Sequence, residues 1–151
     1  MNPLPIDFHK TLLDSLFDAV YTVDCQGIIS YWNSSCVRIT GYGSQEMVGQ
    51  PVAYASFACS EDSEQRSSSG LSGIRIVLDT GMPGTWKGFV RRKNGQRIPV
   101  ESHISPLREE TGRMLGAIEI FRDISSHVAL EDAHRQLLHI SRRDQLTGLY
   151  N

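Results

Sequence analysis

The stretch WKGFVRRKNGQRIPVESHISPL, residues 86–107, decides how the chain folds. Asn94-Gly95 at its middle suits a two-residue type I′ turn, because both turn positions then need positive φ. The flanks, Trp86 to Arg92 and Gln96 to Leu107, are rich in strand-forming residues, so two antiparallel strands are expected. On the second, Ile98, Val100 and Ile104 alternate onto one face, while Pro99, Glu101 and His103 take the other. The apolar face is expected to line the core, and His103 points away from it.

Reading outward, Arg108-Glu109-Glu110-Thr111-Gly112 is a turn leading to a third strand, Met114 to Asp123. Upstream, Thr80-Gly81-Met82-Pro83-Gly84 is a break, and Ile74 to Leu78 is an apolar run that fits either a helix or a strand. Residues 51–73 carry a weaker pattern, rich in Ser, Glu and Gly from Ser60 onward; short helical turns and a mobile loop are expected there. Ser34 or Ser35 suits the cap of a short helix through Ile39 to Tyr42, closed by Gly41 and Gly43, and Ser44 starts another. Tyr21 to Val23 and Ile28 to Trp32 form a hairpin around Asp24-Cys25-Gln26-Gly27. From Pro5 to Val20, residues Ile6, Leu12, Leu13, Leu16, Phe17 and Val20 follow the spacing of an amphipathic helix. The order is helix, two strands, short helices, three strands, and a long helix.

That last helix has no Gly or Pro from Ser126 to Leu146. Leu130, Ala133, Leu137 and Ile140 recur three, four and three residues apart, a narrow seam of the kind that pairs with one partner helix. Glu131 precedes Arg135 by one turn, the favourable order for a helical ion pair. A helix projecting from the domain and pairing in parallel with its copy is the expectation.

The chain has 151 residues, room for one domain with a core and an appendage. With 40% apolar and 21% charged residues it is neither disordered nor fibrous, and a net charge of −2 gives no field to attract nucleic acid. The three cysteines, Cys25, Cys36 and Cys59, form no CxxC pair and suit a reducing, cytoplasmic setting. Met1 to Lys10 has neither the basic start nor the apolar core of a signal peptide, and no apolar run reaches the length of a membrane span. No nucleophile elbow, P-loop, HExxH or dinucleotide fingerprint occurs, so neither catalytic nor metal-ligating residues are expected. His127, His134 and His139 lie off the apolar seam and read as solvated, as does His9 near the N-terminus.

In this order, YWNSSCVRITGY at 31–42, VGQP at 48–51, residues 86–100 and GAIEIFRDIS at 116–125 resemble a PAS domain over about residues 10 to 125. The resemblance implies an α+β fold: a five-stranded antiparallel sheet with short helices on one face, here with an N-terminal amphipathic helix and a long C-terminal coiled-coil helix. Where the family usually ends with Asp-Ile-Thr, this chain has Asp123-Ile124-Ser125, whose hydroxyl supplies the same cap. Arg143-Asp144-Gln145-Leu146-Thr147-Gly148-Leu149-Tyr150-Asn151 resembles the opening of GGDEF domains, the diguanylate cyclase modules, at seven specified positions in nine. The expected division is an N-terminal helix at 1–20, a PAS sensor at 21–125, a signalling helix at 126–143 and the start of a truncated GGDEF domain at 144–151.

The resemblance further implies a pocket. Trp32, Phe57, Ile76, Phe89, Ile104 and Ile118 are the candidates to line it, though such aromatics are more often plain core. The family admits FAD or a small metabolite; His-ligated haem is disfavoured, because Glu61 to Thr80 contains no histidine. Cys59 lacks the flanking motif of the photochemical flavin domains. Leu130, Ala133, Leu137 and Ile140 are the dimer helix, and Asp123, Asp144, Leu146 and Thr147 the effector junction. The implied function is a sensory and dimerisation module that regulates a diguanylate cyclase as a homodimer, with no nucleic-acid or membrane partner; the alternative is a ligand-free PAS spacing module.

Overall fold

The computed structural model describes residues 6–52, 58–59 and 70–148. Its elements are α1 (Ile6–Ser15), β1 (Ala19–Asp24), β2 (Ile29–Trp32), α2 (Ser34–Thr40), α3 (Ser44–Met47), β3 (Ala58–Cys59), α4 (Gly70–Thr80), β4 (Gly84–Arg91), β5 (Arg97–Arg108), β6 (Met114–Asp123) and α5 (Ser125–Gly148). The strands form one antiparallel sheet in the order β2-β1-β6-β5-β4-β3. The five expected strands are there, and the two residues of β3 extend the sheet beyond β4. The apolar run at Ile74 is helical, inside α4.

One face of the sheet carries the core. On β5 the expected alternation holds: Ile98, Val100, Ser102 and Ile104 are buried, and His103 is exposed. α4 closes on this face through Ile74 and Val77, α2 through Cys36 and Ile39, and α3 through Met47. Gly73 brings α4 close to the sheet, since a Cβ there would lie 2.8 Å from Ile104 Cδ1.

Several expectations are corrected. The β4–β5 loop is not a type I′ turn: Gly95 has φ 91°, but Asn94, like every other non-glycine among the described residues, does not have positive φ. Arg92 O accepts from Gly95 N at 2.8 Å and Gln96 O accepts from Arg92 N at 2.7 Å, the pattern of a three-residue loop ending in a left-handed glycine. The loop is tied to the helices, because Lys93 N donates to Thr40 O and its ammonium pairs with Glu46. The cap of α2 is Asn33, not Ser34 or Ser35; its Oδ1 accepts from Cys36 N. The N-terminal helix ends at Ser15, and Ala19 and Val20 belong to β1, where Val20 pairs with Ile120.

α1 does not bury an apolar stripe: Phe8 and Leu12 are exposed, and so are Leu16 and Phe17 just beyond it, Phe17 at 80%. Polar bonds to its C-terminal turn hold it instead. Asn33 Nδ2 donates to Leu13 O, Ser34 Oγ to Asp14 O, Ser35 Oγ to Leu16 O and Tyr31 Oη to the Asp14 carboxylate. These groups satisfy carbonyls that a helix end leaves open. At the other end, Asp123 Oδ1 accepts from both Ser125 N and Ser125 Oγ, so the aspartate acts where the serine hydroxyl was expected to. α5 then runs unbroken to Gly148, through the boundary expected at 143. The mobile loop expected at 51–73 falls mostly outside the described residues.

Candidate functional site

β1, β6 and β5 lie side by side, so residues in register on their core face form a row. Tyr21 on β1 stands opposite Glu119 on β6, and Glu119 opposite Ile104 on β5. All three are buried, Glu119 with 5% of its surface exposed. Tyr21 Oη donates to Glu119 Oε2. Ser102, two residues before Ile104 on the same face, is also 5% exposed; its Oγ makes no well-formed hydrogen bond to a described residue, but it lies close enough to the Glu119 carboxyl to favour the anion. Tyr21 packs on Trp32 at 5.4 Å and on Phe121 at 6.2 Å between ring centroids. Trp32 Nε1 donates to Tyr42 O at 2.9 Å.

A carboxyl without a cation in such a place resists ionisation. Burial pushes Glu119 from 4.5 up to about 7, against the pull of Tyr21 and Ser102, which favour the anion. The Tyr21 phenol is raised well above 10, first by burial and then by Glu119. Burial likewise drives the Cys36 thiol up to about 12. Cys36 and Tyr21 therefore stay neutral where Glu119 changes charge.

The expected pocket residues are brought together only in part. Trp32 and Ile104 lie in the core, 4% and 0% exposed. Ile76 is 47% exposed, because on α4 its neighbours Ile74 and Val77 face inward. Phe89 and Ile118 lie on the open face of the sheet; Arg97 covers the Phe89 ring at 4.4 Å, and Val90 takes the core side. Phe57 lies outside the described residues. The inward position of Glu119 was hidden from sequence reasoning because Ile118 and Ile120 flank it, so β6 looks apolar on the face that is in fact open. Ser102 was legible in the alternation of β5, and Tyr21 in the β1 run.

On the open face, His103 bonds through Nδ1 to Thr85 Oγ1 and through Nε2 to Ser105 Oγ, both at 3.1 Å. Glu101 faces Arg122 across the strands there, so Glu101 and Glu119 are on opposite sides of the sheet. No three His, Cys, Asp or Glu side chains converge on a metal-sized site among the described residues. Leu130, Ala133, Leu137 and Ile140 are all exposed along α5, Leu130 at 70% and Leu137 at 66%. Asp123 ends β6 beneath α5; the side chains of Asp144, Leu146 and Thr147 fall outside the described residues. No described helix is long and apolar enough to cross a membrane.

The chain is thus an antiparallel sheet with small helices on one face, its last strand leading straight into α5. The PAS fold family model matches residues 8–124, and the chain belongs to that family as a sensory domain of signal transduction. It is 25% identical over 138 residues to the sensor protein FixL of Bradyrhizobium diazoefficiens, covering 88% of this chain and 26% of FixL. It is also 25% identical over 123 residues to the signal transduction histidine-protein kinase AtoS of Escherichia coli, covering 78% of this chain and 18% of AtoS. Among solved structures, the PAS domain of a protein from Colwellia psychrerythraea superposes with a TM-score of 0.65 at 27% identity, over 80% of this chain and 98% of that one. The chain thus spans about a quarter or less of these two curated relatives.

Proposed function

We propose that this PAS domain works as a cytoplasmic homodimer in which α5 pairs with its copy and carries the state of the sheet to an effector. The carrying observation is the stripe of apolar side chains along α5 that the domain leaves in solvent. A seam two residues wide per heptad is the width that one parallel partner helix covers. A ligand of the pocket, FAD or a small metabolite, or a redox event, acts on the helix pair only as far as it prefers one arrangement of the sheet.

The effector in this reading is a diguanylate cyclase module, which makes cyclic di-GMP from GTP. Its support is the run from Arg143 to Asn151, with Asp144, Leu146 and Thr147 at the junction. A histidine kinase is the second reading, favoured by the similarity to FixL and AtoS. The coding frame expressed to its natural end separates them. Cyclic di-GMP formed from GTP supports the first, and histidine autophosphorylation from ATP without it supports the second. Native mass and an absorption spectrum of the purified chain test for a pocket ligand; a colourless protein of bare chain mass favours a ligand-free dimerising spacer.

A further inference from the structure

We propose that Glu119 is a proton-binding site at the centre of the sheet, whose occupancy is passed along β6 to α5. The inference rests on the reading of α5 as the output helix. Its basis is geometric. Glu119 sits on a central strand with partners on both sides, four residues before Asp123, whose carboxylate holds the first turn of α5. It is buried on the helix-covered face, and none of the salt bridges between described residues involves it.

Among the described residues, the groups that face it are few. β1 presents the Tyr21 phenol, β5 the Ser102 hydroxyl and the side chain of Ile104, α2 the Cys36 thiol; α4 contributes Ile74 and Val77 to the same core. None of these carries a charge near neutral pH, because burial drives both the phenol and the thiol upward. Desolvation and the two neighbouring hydroxyls oppose each other at Glu119, which places its proton exchange at about pH 7.

Each state asks for a different hydrogen-bond pattern. The ionised carboxylate only accepts, so it takes the hydrogens of both Tyr21 and Ser102. The neutral acid still accepts from Tyr21 but has a hydrogen of its own to donate, and Ser102 Oγ, which has no well-formed hydrogen bond to another described residue, is the acceptor beside it. Gaining a proton from solvent therefore exchanges donor and acceptor roles between the Glu119 carboxyl on β6 and the Ser102 hydroxyl on β5 and removes a buried charge. Pro99 O on β5 also accepts from Ile124 N, at 2.9 Å, so a change between these two strands reaches the base of α5 directly.

The test is a pH titration of the whole chain, following the 13C-labelled glutamate side-chain carboxyls and the backbone amides by NMR. The Glu119 resonance, assigned by its loss in Glu119→Gln, is expected to move with a midpoint within about one unit of 7, and the amides of Ile124 to Val128 with the same midpoint. Tyr21→Phe and Ser102→Ala each remove a group that favours the anion, so each raises the midpoint. A Glu119 midpoint near 4.5, or α5 amides that stay still while Glu119 titrates, overturns the proposal. Sedimentation of the same samples keeps the two readings apart: a monomer at every pH sinks the paired-helix reading, whereas a dimer with silent α5 amides sinks only the proton site.

Discussion

At the scale of single residues, Asn33 shows how much one side chain organises. It is fully buried, and all of its hydrogen-bonding capacity is used. Oδ1 accepts from Val20 N and Cys36 N, while Nδ2 donates to Leu13 O and Asp18 O. The side chain joins α1, the entry to β1 and the cap of α2. Removing it leaves buried donors and acceptors unpaired, so Asn33→Ala is expected to cost at least about 2 kcal/mol in urea unfolding. Asn33→Asp keeps the acceptor but turns an oxygen toward two carbonyls, and is expected to be no better tolerated. Gly116 is a second such position. A Cβ there would collide with Val23 O, and Gly116→Ala is expected to lower the melting temperature sharply, by several degrees or more. Neither role is readable from the chain alone, because Asn33 looks like any polar residue before a helix and Gly116 like any glycine in a strand.

At the scale of elements, α5 and α1 contrast. Both have exposed apolar residues, but α1 is tethered to the domain by three side-chain hydrogen bonds to its last turn and a fourth to Leu16 just after it, whereas α5 leaves it after its first turn. A lone helix with a solvent-facing leucine stripe gains little from its own hydrogen bonds, so in the proposed dimer the partner helix is what stabilises it. Leu137→Asp is therefore expected to move sedimentation of the chain from dimer toward monomer. An unchanged dimer would assign the association to the globular part or to α1. The α5 helix was legible in the three-four spacing of its apolar residues and in the lack of Gly and Pro. The two-residue β3 was not, because such a short strand has no period. The β4–β5 loop was misread because Asn94-Gly95 fits two hairpin geometries, and the bonds of Lys93 to α2 and α3 select the longer loop.

At the scale of the whole molecule, the buried carboxyl couples folding to pH. The folded chain holds the Glu119 proton up to about pH 7, while an unfolded glutamate releases it near 4.5. The folded state thus binds more protons between these values, and this group's contribution to stability, full below 4.5, is lost as pH rises through 7. Urea midpoints are expected to fall between pH 5 and pH 8, and Glu119→Gln to flatten that slope. A slope of the opposite sign that Glu119→Gln leaves intact would show that other groups dominate. The core itself is conventional: Ile104→Ala, at a position with 0% exposure, is expected to cost about 2 to 5 kcal/mol.

Sequence periodicity determined the antiparallel sheet, the inward face of β5 and the long final helix, because each repeats a local rule over many residues and the hydrophobic effect follows that repeat. The tertiary structure alone decided which face of β6 is inside. Ile118 and Ile120 make its outer side as apolar as the inner side of Ala117, Glu119 and Phe121, so the hydrophobic pattern is ambiguous. Only pairing with Tyr21 on one side and with β5 on the other places a carboxyl, rather than an isoleucine, in the middle of the core.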